Sequence, residues 1–195
     1  MNIIELILDE NDEMNGIEAI SVVSDPAIES DFIALANQEI KLATVDTEKR
    51  ILMGAALIPN KHIYRRNKDK EFYIFFSSDT VNKASQLYLK KSRQGNATLE
   101  HDMKLKDMAV VESWIVSNPE MDKSKHYGLS VPKDTWMVSM KVDNDEIWND
   151  YVKTGKVKGF SIEGYFADKV QMKSEDSELI EQIKNIINGK EKNSK

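Results

Sequence analysis

Three histidines (His62, His101 and His126) and no cysteine limit the side-chain chemistry open to this 195-residue chain. Without cysteine there is no disulfide, no thiolate ligand and no cysteine nucleophile, and the composition fits a reducing or redox-indifferent compartment. No H-x-H or H-E-x-x-H spacing occurs. Glu100-His101-Asp102 is a consecutive triplet that a strand would point to alternate sides, so the sequence predicts no zinc or iron site and no cofactor. What remains is a hydroxyl nucleophile with an imidazole base. Two serines have a notable setting: Ser161, in Gly159-Phe-Ser-Ile-Glu-Gly164, and Ser130, in Gly128-Leu-Ser-Val-Pro132. The first is not a G-x-S-x-G nucleophile elbow, because its second glycine comes one residue too late and the chain continues as strand instead of entering a helix. Ser130 lies four residues from His126 in a polar stretch, where closeness in sequence says little about closeness in space, and is read as a decoy.

By residue type alone, each of these groups has an ordinary explanation. A strand serine facing solvent is usually only that, and a lone histidine is usually structural or exposed. Glu112 stands out as an acid inside the apolar run Val110-Val-Glu-Ser-Trp114. Burying an unpaired carboxylate is costly, so its plain reading is an edge-strand residue reaching water. Trp114, Trp136 and Trp148 read as core.

The elements that must position these groups are mostly strands. Apolar runs at Ile3–Leu8, Ala19–Val23, Arg50–Pro59, Glu71–Phe76, Thr98–Met103, Val110–Val116 and Thr135–Val142 carry strand composition and stop signals. Phe160 to Phe166 alternates, with Ser161, Glu163 and Tyr165 on the wetter face and Phe160, Ile162 and Phe166 on the other. Helical spacing appears from Ser78 to Gly95, with Asp79 as N-cap. It appears again from Asp145 to Thr154, behind an Asp143-x-x-Glu146 capping box. A third helix is predicted from Glu178 to Asn188, where Leu179, Ile180, Ile183, Ile186 and Ile187 form an apolar face, before a charged tail. The pattern predicts an α+β fold with a mainly antiparallel, barrel-like core flanked by helices. Residues 1–170 would form one domain, and residues 171–195 an amphipathic helix and tail.

Basic and acidic residues are interspersed, and 27 Lys+Arg against 33 Asp+Glu leave a net charge of −6, which argues against a nucleic-acid partner. The N-terminal stretch carries Glu5, Asp9 and Glu10 where a signal peptide would be positive, and no apolar run reaches bilayer length. A soluble, intracellular protein with no membrane partner is expected.

Three stretches in order, Thr98-Leu-Glu-His-Asp102, Val110-Val-Glu-Ser-Trp-Ile115 and Lys158-Gly-Phe-Ser-Ile-Glu-Gly-Tyr-Phe166, with Asp134-Thr-Trp-Met137 between them, resemble the XkdF-like phage serine proteases. That family is grouped with the prohead proteases related to herpesvirus assemblins. Ala19 to Ala27 and Met53 to Pro59 extend the likeness to nearly the whole chain up to about Phe166. The resemblance implies an assemblin-like β-barrel protease acting in the host cytoplasm, inside the immature phage head. Its partners would be the scaffold protein and the major capsid protein, and a homo-oligomer is compatible with it. It carries the family's serine onto Ser161 and its histidine onto His101.

The third role is less direct. In the wider group it falls to a histidine or an acid on a strand ending in a Pro-Ala pair. Here the similar stretch, ending at Pro26-Ala27, precedes the histidine as if segments were permuted, and the matching position is Ala19. Glu18 would face the other side of such a strand. Glu112 becomes the candidate by elimination. His101 would take the Ser161 proton during attack on a peptide carbonyl and return it to the leaving amine. Backbone amides near Lys158 and Gly159, or in the loop after Trp114, are candidate oxyanion donors. The alternatives are a non-catalytic head-assembly protein that retains the protease fold and a small-molecule esterase using the same pair.

Overall fold

A computed structural model describes residues 2–9, 15–27, 33–34, 49–67 and 70–169. Among the described residues, twelve strands fall into three four-stranded sheets. The first, in the order β12-β1-β6-β5, is built from Ala167–Asp168, Asn2–Ile7, Lys70–Phe76 and Ile63–Asn67. The second, β3-β4-β10-β9, is built from Ile33–Ala34, Ile51–Leu57, Trp136–Val142 and Met108–Ile115. The third, β11-β2-β7-β8, is built from Gly159–Tyr165, Gly16–Val23, Ala97–Leu99 and Met103–Leu105. All pairings are antiparallel except β1 with β6 and β2 with β7. The mixed, mostly-strand character matches the expectation from sequence. Among the described residues the three sheets do not close into a barrel.

The central strands are apolar on both faces because both are covered. In β10, Trp136, Met137, Val138, Met140 and Val142 have no exposed surface, and Leu52, Met53 and Leu57 of β4 are equally enclosed. Helix α1 (Ser78–Lys90) buries Val81, Ala84 and Tyr88, one face at helical spacing, and the Tyr88 ring meets Trp136 edge-on at 5.5 Å. The helix begins two residues earlier than Asp79 as cap would require, because Ser77 is the N-cap. Asp79 instead pairs with Lys83 one turn on. It also stops well before Gly95: Lys91 is the C-cap and Ser92 turns left-handed with φ 55°.

The second predicted helix forms as a π-helical segment, Ile147–Val152, whose i→i−5 bonding includes Lys153 N–H to Trp148 O at 3.0 Å. Its start is capped by Asn144, whose side-chain oxygen accepts from Ile147 N–H at 3.0 Å, and not by an Asp143/Glu146 box, because Asp143 is engaged by Lys141. A four-residue helix, α2 (Lys123–His126), and the strand β5 were not signalled by sequence periodicity. Both are too short for a pattern to repeat. The helix predicted over 178–188 lies outside the described residues.

Candidate active site

Ser161 sits on β11 directly across from Ser21 of β2, and Ser21 in turn pairs with Thr98 of β7. Directly opposed residues of neighbouring strands share a face, so the register lines up three hydroxyls across three strands. Glu163, two residues beyond Ser161, shares this face and stands opposite Ala19. The other face carries Phe160, Ile20, Val22 and Leu99 into the core. The alternation read from sequence therefore holds, but the polar face is less wet than expected: Ser161 is 8% exposed and Ser21 fully buried.

His101 reaches this face by a route that the sequence did not predict. The segment Thr98–Met103, expected as one strand, is a hairpin: β7 ends at Leu99, β8 starts at Met103, and Asp102 N–H donates to Leu99 O at 3.1 Å. Both residues at its tip are left-handed, Glu100 with φ 50° and His101 with φ 62°. For residues with a Cβ this conformation costs about 1–2 kcal/mol each, so neighbouring structure must hold it. Strand β2 supplies the hold. Glu100 N–H donates to Val22 O at 3.1 Å, and Ser24 N–H donates to the Glu100 carboxylate at 2.7 Å. His101 N–H donates to Ser21 Oγ at 3.0 Å, and the Ser21 hydroxyl donates onward to Thr98 O at 3.3 Å.

The imidazole then lies over the polar face, with Nδ1 3.2 Å from Glu163 Oε1. The Thr98 hydroxyl donates to the same carboxylate oxygen. Among the described residues no hydrogen bond joins His101 to Ser161 Oγ. The ring and the carboxylate are partly open to solvent, with side-chain exposures of 42% and 30%.

Glu112 is elsewhere. It lies on β9, an edge strand of another sheet, where its half-exposed carboxylate takes Lys123 Nζ at 2.5 Å. That ammonium, with Ser139 behind it, holds the Glu112 carboxyl below the usual range. Among the described residues its contacts do not include His101. His62 packs against Tyr73 and Phe75, His126 against Tyr127 at the end of α2, and Ser130 is exposed beyond that helix. Of the amides considered for an oxyanion hole, that of Lys158 is spent on Val23 O at 2.8 Å, and that of Val116, after Trp114, on Thr135 O at 2.9 Å. A cavity of about 160 Å³ adjoins Ser161, walled by Leu57, Ile74, Phe76 and Phe166, with Arg65 also at its border. A second hollow of about 210 Å³ runs beside Glu163, between Ala19, Thr98 and Lys104.

Strand register and the His101–Glu163 contact thus place a hydroxyl, an imidazole and a carboxylate on one face of this sheet. The family model described as "Putative phage serine protease XkdF" matches residues 39–171. The chain belongs to this family. The likeness first read from Thr98–Asp102, Val110–Ile115 and Lys158–Phe166 is the same one, and the matched region holds His101, Ser161 and Glu163. Strand β2, with Ser21 and Ala19, precedes it. No curated protein and no solved structure matches the chain. Sequence reasoning had noted Glu163 as a face-mate of Ser161 without giving it a role. The missing signal was the hairpin, which alone brings His101 back over that face.

Proposed function

We propose that this member of the phage serine protease family is an endopeptidase of head assembly, with Ser161 as nucleophile and His101 as general base. Its substrates would be segments of the scaffold and major capsid proteins, cut inside the immature head in the host cytoplasm. The core would be barrel-like in the assemblin manner, with residues 1–170 as the protease domain. The observation that carries the reading is the shared polar face of one sheet: Ser161 on β11 and the His101 ring both lie on it, with β2 between their strands.

Neutral His101 accepts the Ser161 proton as Oγ bonds to the peptide carbonyl carbon. The resulting imidazolium delivers that proton to the leaving amine, the C–N bond breaks, and an acyl-serine remains. Water then attacks the acyl carbon, giving its proton to His101, and the released carboxyl product frees Oγ to take the proton back. Contacts between nucleophile and base are often loose without substrate, which fits the absence of a Ser161–His101 hydrogen bond.

The test is co-expression with the phage's own scaffold and capsid proteins, followed by mass analysis of new termini. Wild-type protein should generate defined termini and Ser161→Ala none, with the variant's melting temperature within about 2 °C of wild type, since a single hydroxyl is removed and the apolar core on the other face is unchanged. Termini that persist with folded Ser161→Ala protein would refute the assignment. Head proteins left uncut by the wild type would favour the non-catalytic assembly role.

A further inference from the structure

We infer that Glu163 is the positioning residue of the His101 base, supplying from the strand next to Ala19 the carboxylate that Ala19 cannot. This rests on the serine-protease reading above and adds the third role to it. Four observations carry it. His101 Nδ1 lies 3.2 Å from Glu163 Oε1, so with its proton on Nδ1 the ring donates to the carboxylate and turns Nε2, the basic nitrogen, free. The carboxylate is itself anchored, because the Thr98 hydroxyl donates to the same oxygen.

The spacing also fits. Glu163 and Ser161 are two residues apart on one strand face, roughly 6.8 Å along the strand at about 3.4 Å per residue. An imidazole, about 2 Å between its nitrogens, with a hydrogen bond of about 3 Å at each end, spans about 8 Å. A glutamate side chain can lean over the small difference. Finally, the β11–β2 register sets Glu163 opposite Ala19, the position at which the resemblance would look for the third member. Two facing positions of adjacent strands lie about 5 Å apart on the same side of the sheet, within the reach of a glutamate side chain, so either can serve a ring lying over both.

An ordinary surface ion pair would need none of this. It would not require the ring's backbone to be held left-handed, nor its N–H to be tied by a fully buried serine.

The experiment has two readouts on the full chain. Imidazole ¹⁵N NMR of His101 at a pH where the ring is neutral reports the tautomer, and a fluorophosphonate probe reports Ser161 reactivity. Wild-type His101 should carry its proton on Nδ1. Glu163→Gln should shift protonation towards Nε2, because a carboxamide can donate to Nδ1, and should slow labelling on the order of 10²–10⁴-fold. Glu163→Asp should keep the Nδ1 tautomer and recover part of the rate. An unchanged tautomer in folded Glu163→Gln, or one that responds to Glu112→Gln instead, overturns the inference whatever the labelling shows. The expected tautomer change with a wild-type Ser161 that resists the probe would uphold the Glu163–His101 pairing and count against the protease reading alone.

Discussion

Ser21→Ala isolates what keeps the proposed base in place, because it removes one hydroxyl and leaves Ser161 and the His101 ring chemically unchanged. That hydroxyl accepts from His101 N–H at 3.0 Å and donates to Thr98 O at 3.3 Å, at a position with no solvent exposure. Each hydrogen bond is worth about 1 kcal/mol net, so the substitution removes about 2 kcal/mol of hold on the hairpin tip. Against this stands the cost of two left-handed residues, Glu100 and His101, which the lost bonds helped to offset. The tip should therefore relax locally before the domain unfolds. A shift of about 2 kcal/mol lowers the equilibrium constant for the state with His101 over the sheet by roughly 30-fold, and its population by at most that factor. Global stability should fall by no more than the same amount, a melting-temperature drop of about 4–8 °C for a chain of this size. Fluorophosphonate labelling of Ser161 together with calorimetry separates the two effects. Labelling should slow, by up to roughly 30-fold, at a temperature where the variant is fully folded. A variant that melts as expected yet labels at the wild-type rate would refute the claim that Ser21 holds the base in register.

Two further perturbations probe the scaffold. At Gly164, an added Cβ would fall on the Gly16 carbonyl oxygen and within 2.8 Å of Ile17 Cα, backbone that cannot move aside, whereas Gly95 has open space. Gly164→Ala should cost about 2–4 kcal/mol in chemical denaturation and Gly95→Ala less than about 1, and equal costs would contradict the described packing. At Asp122, burial pushes the carboxyl up, but hydrogen bonds from Ser124 and Trp114 outweigh it and hold the group below its ordinary range. Its stabilising contribution is therefore present above the unfolded-state carboxyl range and is lost as pH falls through the lower folded-state value. Trp114 fluorescence should report that acid transition, and Asp122→Asn should abolish it; a transition unchanged in Asp122→Asn would assign it to another group.

How far the fold was legible follows from how long each pattern runs. β2, β10 and β11 each present several residues of unbroken apolar or alternating character, and their positions came out within a few residues. Helix α1 was visible because Val81, Ala84 and Tyr88 repeat over about two turns. The capping residues were misassigned by one or two positions at both helices, because Ser77 and Asn144 compete with Asp79 and Asp143 for the same turn, and only the local hydrogen bonds decide. The three-sheet arrangement depends on long-range register, which periodicity does not encode.

The site shows the same division more sharply. Ser161 and Glu163 could be placed on one face from alternation alone, since a strand repeats every two residues wherever it goes. His101 could not, because Thr98–Met103 carries strand-like residues and nothing at Glu100-His101 announces a turn; neither is a glycine, asparagine or aspartate, the residues that favour left-handed turn positions. The turn is imposed from outside, by Val22 O, Ser24 N–H and the Ser21 hydroxyl acting on the hairpin tip. Local preference and tertiary demand disagree at this point, and such disagreement is where functional positions concentrate. It also explains why Glu112 drew attention. An acid in an apolar run is conspicuous in one dimension, whereas Glu163 looked like the ordinary wet half of an alternating strand. Only when the hairpin folds over β2 does that ordinary position become the carboxylate beneath the imidazole.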